Sequence, residues 1–185
     1  MNPQKNVIMI ALLALVTGGT ALVYAKDREK EATPAPKVLY DLSALPEPVQ
    51  QMLREIIVAA EAGDIDAMRP VLESNELKPM VAATHVDDPI AYWKKQSADG
   101  TGREVLAAIL NTLSSGFVRS GKGYDEAYVW PYFAEVDINK LTPAQEVEFY
   151  RTVPPKIAAS IKKSGNYNYY RLGISSSGVW HYFIK

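Results

Sequence analysis

From Tyr167 to Lys185 the chain reads Tyr-Asn-Tyr-Tyr-Arg-Leu-Gly-Ile-Ser-Ser-Ser-Gly-Val-Trp-His-Tyr-Phe-Ile-Lys, two aromatic-rich segments around a Ser/Gly turn, which is the composition of a β-hairpin. Alternation across Ser175 to Gly178 puts Tyr170, Leu172, Ile174, Val179, His181 and Phe183 on one face. Tyr169, Arg171, Gly173, Trp180, Tyr182 and Ile184 fall on the other. A tighter turn at Ser177-Gly178 keeps these faces; only an odd-length loop exchanges them. Neither face is polar. A hairpin apolar on both sides must be covered twice or must bind something, and the rest of the chain has to meet that demand.

The preceding sequence has helical rather than alternating periodicity, so the expected fold is α+β: a helical N-terminal two-thirds packed on a small antiparallel sheet that the C-terminal hairpin closes. A first helix is predicted from Pro46 or Glu47 to Ala62, with Val49, Met52, Leu53, Ile56, Ile57 and Ala60 at three- and four-residue steps and Gly63 as its stop. Asp64 caps a short second helix through Met68, Val71 and Leu72, bent or delayed by Pro70. Asp88-Pro89 opens a third, with Ile90 and Trp93. Asp99-Gly-Thr-Gly-Arg-Glu104 precedes a fourth, whose stripe is Leu106, Ile109, Leu110, Leu113 and Phe117. That glycine-rich loop matches neither a P-loop nor a dinucleotide fingerprint, and Thr101 with Glu104 reads as a capping box. Phe117 to Tyr124 suggests a short strand and turn. Ala127-Tyr-Val-Trp-Pro-Tyr-Phe133 suggests an edge strand or a loop across the hairpin, because Pro131 cannot donate to a central ladder. Thr142-Pro-Ala-Gln145 is a second capping box, opening a helix through Val147 and Tyr150; Pro154-Pro155 separates it from a last helix ending at Ser164.

At the other end, Lys5 precedes an apolar run from Val7 to Val16, then Gly18-Gly19 and Ala21-Leu-Val-Tyr-Ala25. This is the layout of a signal peptide cut before Lys26; the alternative is an uncleaved anchor over Asn6 to Ala25, which would be the protein's contact with membrane. Residues 26–37 are charged and proline-bearing, as in a disordered tether, leaving one domain over 38–185. The expected location is the periplasm, free or held at the inner membrane. No cysteine is present, which removes disulfides, thiol catalysis and thiolate metal sites. Without residues 1–25 the chain has 19 basic and 21 acidic side chains, a balance that gives nucleic acid no electrostatic footprint.

Tyr-Val-Trp-Pro-Tyr-Phe-Ala (128–134), Leu-Thr-Pro-Ala-Gln-Glu-Val-Glu (141–148) and the segment 169–183 resemble uncharacterised exported proteins of alphaproteobacteria, a resemblance that implies no activity. A fainter similarity is to the nuclear-transport-factor-2-like cone fold. It is carried by Ala-Ala-Glu-Ala-Gly-Asp-Ile-Asp-Ala-Met (59–68), Gly-Arg-Glu-Val-Leu (102–106) and Gly-Val-Trp-His (178–181), and the stretch 141–164 departs from it.

No catalytic motif stands out. His181 alternates with Val179 and Phe183, as a core or pocket-lining histidine does. His85, Asp87 and Asp88 could be drawn as metal ligands, but acids before a proline are better explained by helix capping. Ser175-Ser176-Ser177 with His181 has the residue types of a hydrolase without the nucleophile elbow. Glu135 and Asp137 have the residue types of a glycosidic acid/base pair. The aromatic set with Arg171 suits a binding surface better than a solvated face. The residues proposed for binding are therefore Trp130, Tyr132, Arg171, Trp180 and His181, in a non-catalytic exported envelope protein that takes a partner protein or a small ligand, with no metal or cofactor. The alternative is a periplasmic hydrolase using His181 with a serine or carboxylate. Trp180 distinguishes two further readings: a core residue if both hairpin faces are packed, a contact residue if one stays open.

Overall fold

The computed structural model describes residues 35–123 and 126–185; the expected signal peptide and most of the tether lie outside them. Four helices precede the sheet: α1 (Glu47–Glu61), α2 (Met68–Ser74), α3 (Pro89–Gln96) and α4 (Arg103–Leu113). Strands β1 (Val118–Ser120) and β2 (Ala127–Trp130) follow, then α5 (Pro143–Thr152) and α6 (Pro155–Ser164), then β3 (Arg171–Ser175) and β4 (Trp180–Ile184). The strands form one antiparallel sheet in the order β1-β2-β3-β4. The fold is α+β with a C-terminal hairpin, and the sheet carries a helical layer on each face.

On one face α1 to α4 meet Phe117, Tyr128, Trp130, Leu172, Ile174, Trp180 and Phe183. On the other, α5, α6 and the 3-10 turn Tyr132–Ala134 cover Val118 and Val129 with Tyr132, Phe133, Phe149, Val153, Ala158 and Ile161. One face of the hairpin is thus buried in the first core, whereas the second core covers β1 and β2 and leaves Arg171, Tyr182 and Ile184 on the hairpin's other face half-buried. Trp180 is fully buried and stacks on Trp93 at 6.3 Å between ring centroids.

The 127–133 segment is neither edge nor overlying loop. β2 pairs with β1 on one side and β3 on the other, and Pro131 falls just past its last paired residue, Trp130, so no ladder bond is lost. The chain then crosses the sheet, with Tyr132 N–H donating to Gly116 C=O at 3.0 Å.

The hairpin faces also differ from simple alternation near the turn. Ser175 N–H bonds Val179 C=O and Gly178 N–H bonds Ser175 C=O, each at 2.9 Å. These close a three-residue loop, Ser176-Ser177-Gly178, whose Gly178 has φ 88°. The odd count brings Trp180 opposite Ile174, on the face of Leu172 and Phe183. A bulge then inserts His181, restoring Gly173 opposite Tyr182 and turning the His181 side chain out to solvent. The ring over Gly173 is therefore that of Tyr182, whose Cζ lies 2.4 Å from where a Cβ would stand.

Both sheet edges are partly closed. Leu39 and Phe117 exchange two backbone bonds of 2.8 Å beside β1. Beside β4, Met80 N–H donates to His181 C=O and Met80 C=O accepts from Phe183 N–H, both at 2.8 Å. The remaining edge groups of Trp180 are taken by a side chain. Asn75 Oδ1 accepts its N–H at 2.9 Å and Asn75 Nδ2 donates to its C=O at 2.8 Å, as a neighbouring strand would.

Candidate functional site

Trp130, Tyr132 and Trp180 are each fully buried and present no surface. Only Arg171 and His181 of the anticipated binding residues reach solvent, and they do so at different places. Arg171 opens β3, half-buried, on the face of Gly173 and Tyr182. Burial raises the Tyr167 and Tyr182 hydroxyl pKa values above the ordinary tyrosine range, and the Arg171 charge acts in the opposite sense on both. His181 stands exposed on the bulge. The turn serines bond one another instead of meeting it: Ser175 Oγ is 2.8 Å from Ser177 Oγ and accepts from Val179 N–H at 3.1 Å. Glu135 accepts from Ser120 Oγ at 2.7 Å, while Asp137 caps the 3-10 turn Ile138–Lys140 through Asn139 N–H at 3.0 Å, so each carboxylate of that pair has a local partner. His85 Nε2 is 3.1 Å from Asp87 Oδ1, but Asp88 is spent as the α3 N-cap, receiving the N–H groups of Ile90 and Ala91. No cluster of three or more candidate metal ligands occurs among the described residues.

A concavity lies elsewhere, between the end of α2 and the start of α3. It is a groove of about 470 Å³, floored by Leu72, Pro89 and Ile90. Its rim carries Arg69, Glu73, Glu76, Lys78, Asp87 and Asp88, and Asn75 joins it to the hairpin. Its shape is set by short-range chemistry. Proline at the first position of α3 and the Asp88 cap fix one wall. The Asn75 grip on Trp180 fixes the end of the other, and Lys78 Nζ spans the opening to Asp87 C=O at 3.0 Å. The volume falls in the range of small-molecule pockets, with a lining more charged than apolar. A smaller hollow of about 210 Å³ lies between α1 and the turn, by Pro48, Met52, Ser177 and Gly178.

A second polar constellation sits under α5. Glu148 Oε2 accepts from Tyr40 Oη at 2.9 Å and Tyr132 Oη at 3.1 Å, and its Oε1 accepts from Gly116 N–H at 2.9 Å. Burial, with the Glu148 charge adding to it, pushes both hydroxyls above the ordinary tyrosine range, which keeps them donors. One carboxylate thereby joins the N-terminal strap, the α4–β1 link, the turn after β2 and α5. The arrangement has no unbonded nucleophile or base and reads as a structural hub.

No protein-family model, curated protein or solved structure matches the chain. No helix among the described residues is long and apolar enough to cross a membrane.

Asn75 and Glu148 went unanticipated. Asn75 is 105 residues from Trp180, and Glu148 is 108, 32 and 16 residues from Tyr40, Gly116 and Tyr132; a lone Asn after a helix or a Glu inside one carries no local mark of that. The groove has a partial signal in Asp87-Asp88-Pro89, which announces a fixed helix start.

Proposed function

We propose that the chain is a non-catalytic, exported cell-envelope protein that takes a partner protein or small ligand in the groove between α2 and α3. The observation that carries this reading is the groove itself, an apolar floor under a rim of mixed charge, walled by the capped start of α3, the end of α2 and the Asn75 clamp. The hairpin aromatics serve the reading indirectly, as the rigid base against which Asn75 is held. What favours binding over the hydrolase is the turn chemistry: Ser175 and Ser177 are satisfied by one another, and His181 projects from the bulge away from them.

The test is site-specific photocrosslinking in the native envelope, with the photoreactive residue at Glu76 on the rim and, as reference, at the exposed Val58 on α1. A discrete adduct is expected from position 76 alone, and it should vanish when Glu73→Trp fills the rim. Equal adduct patterns at the two positions, or an adduct indifferent to Glu73→Trp, would exclude the groove.

A further inference from the structure

Charge is unevenly distributed along the chain, and α5 and α6 themselves carry four basic side chains against two acidic ones. Residues 38–137, which supply α1 to α4, hold 8 basic and 16 acidic side chains, whereas 138–185, which supply α5 and α6, hold 7 basic and 2 acidic ones. Neither acid of the second set is free to offset its neighbours. Glu146 is paired with Lys162, and Glu148 is turned inward to the two tyrosines and Gly116. Arg151, Lys156 and Lys163 remain exposed.

The same face also presents apolar groups. Val147 is 64% and Tyr150 50% exposed, one turn apart on the side of α5 away from the sheet. Their neighbours Phe149 and Thr152 turn inward. Lys162 Nζ lies 5.8 Å from the Tyr150 ring centroid, joining the two helices at the surface. The outward side of α6 continues the pattern with Lys156 and Lys163 two turns apart. A tyrosine and an aliphatic side chain set among lysines is the composition of a headgroup-level membrane contact, where lysines meet lipid phosphate and the apolar groups enter the interface. The chain also enters the domain on this side, since Tyr40 reaches Glu148 of α5.

We propose that the outward face of α5 and α6 is a docking surface for an anionic lipid bilayer. This contact is separate from the α2–α3 groove and stands without it.

The test is co-sedimentation of the full chain with vesicles of equimolar phosphatidylglycerol and phosphatidylcholine and with vesicles of phosphatidylcholine alone. Lys156→Glu combined with Lys163→Glu is compared with Lys95→Glu combined with Lys122→Glu, the same charge change elsewhere. The expected result is preference for anionic vesicles, lost at high salt. The α6 double variant should weaken binding at least about tenfold, on the scale of polybasic attraction to an anionic leaflet, while the control pair retains it. Val147→Ser with Tyr150→Ser should weaken binding at every salt concentration. Equal binding to both vesicle types, or equal loss in the two charge variants, overturns the proposal, the first because it would report an N-terminal anchor alone. So would salt-sensitive pelleting without vesicles, which would instead mean that the basic face meets acidic side chains of a second copy.

Discussion

The two cores of this protein bury one sheet by different means. The α1–α4 core rests on periodic helix faces: Val49, Met52, Leu53 and Ile56 on α1 and Val105, Leu106 and Ile109 on α4. The core under α5 and α6 rests on clustered aromatics and on the Glu148 hub, with Tyr132 and Phe133 rings 4.1 Å apart and Phe149 edge-on to Phe133 at 5.2 Å. A periodic stripe specifies its burial locally, whereas a cluster exists only once distant segments meet. The contrast teaches that the second face of β1 and β2 is covered by chain that carries no strong sequence mark of doing so.

If the shared sheet makes the two cores one cooperative unit, truncating a large ring in either should cost alike and melt everything together. Trp180→Ala and Phe149→Ala should each lose roughly 3–5 kcal/mol, measured by urea denaturation. Coincident fluorescence and far-ultraviolet transitions are expected in both. A Phe149→Ala protein that first loses part of its helical signal while its tryptophans stay buried would break the symmetry and make α5–α6 a detachable layer.

Polar anchors form the next rank. Asn75→Ala leaves the buried N–H and C=O of Trp180 without partners and should cost about 1–3 kcal/mol. Asn75→Asp should cost comparably, because its second oxygen cannot donate to Trp180 C=O. In the other layer Tyr132→Phe removes a buried donor to Glu148 and should cost about 1 kcal/mol. Tyr40→Phe should cost less, its ring being 60% exposed. Denaturation midpoints of the four variants rank the two anchors, and a neutral Asn75→Ala would show that the strand edge holds itself.

These effects track what could be read from the chain. The helices α1, α3 and α4, the Thr142 capping box and the hairpin were legible because each is set by residues within a few positions of one another. The Trp180 face was not, since a three-residue loop and a bulge at His181 change the parity of the strand and no side chain announces either. Trp130, Tyr132 and Trp180 suggested a surface because composition shows apolar rings without showing what covers them. At α4 the expected Thr101–Glu104 box is absent. Gly102, at φ 86°, is the N-cap, packed where a Cβ would come within 2.8 Å of Ile65, and Glu104 reaches back to Ala98 N–H at 2.7 Å.

The smallest expected effect separates the two layers by pH, because each starts a helix differently. The turn into α4 is organised by Asp99, whose carboxylate accepts from Ser97 Oγ at 2.5 Å, Thr101 Oγ1 at 2.7 Å, Thr101 N–H at 2.9 Å and Gly102 N–H at 3.0 Å. These bonds, Ser97 foremost, hold its pKa well below the usual carboxylate range. A folded-state pKa below the unfolded value of about 3.9 adds stability that is fully present above that value and declines as pH falls through the folded one. Asn at this position keeps an acceptor but no charge. The gap between wild type and Asp99→Asn should therefore be full near neutrality and narrow below about pH 4. α5 instead begins with the uncharged Thr142–Gln145 box, bonded at 3.3 Å and 2.9 Å. Thr142→Ala should cost about 1 kcal/mol at both ends of that range. Urea midpoints of the three proteins at neutral and acid pH test this contrast. A gap for Asp99→Asn that does not move with pH would mean that the turn into α4 depends on the shape of the side chain and not on its ionisation.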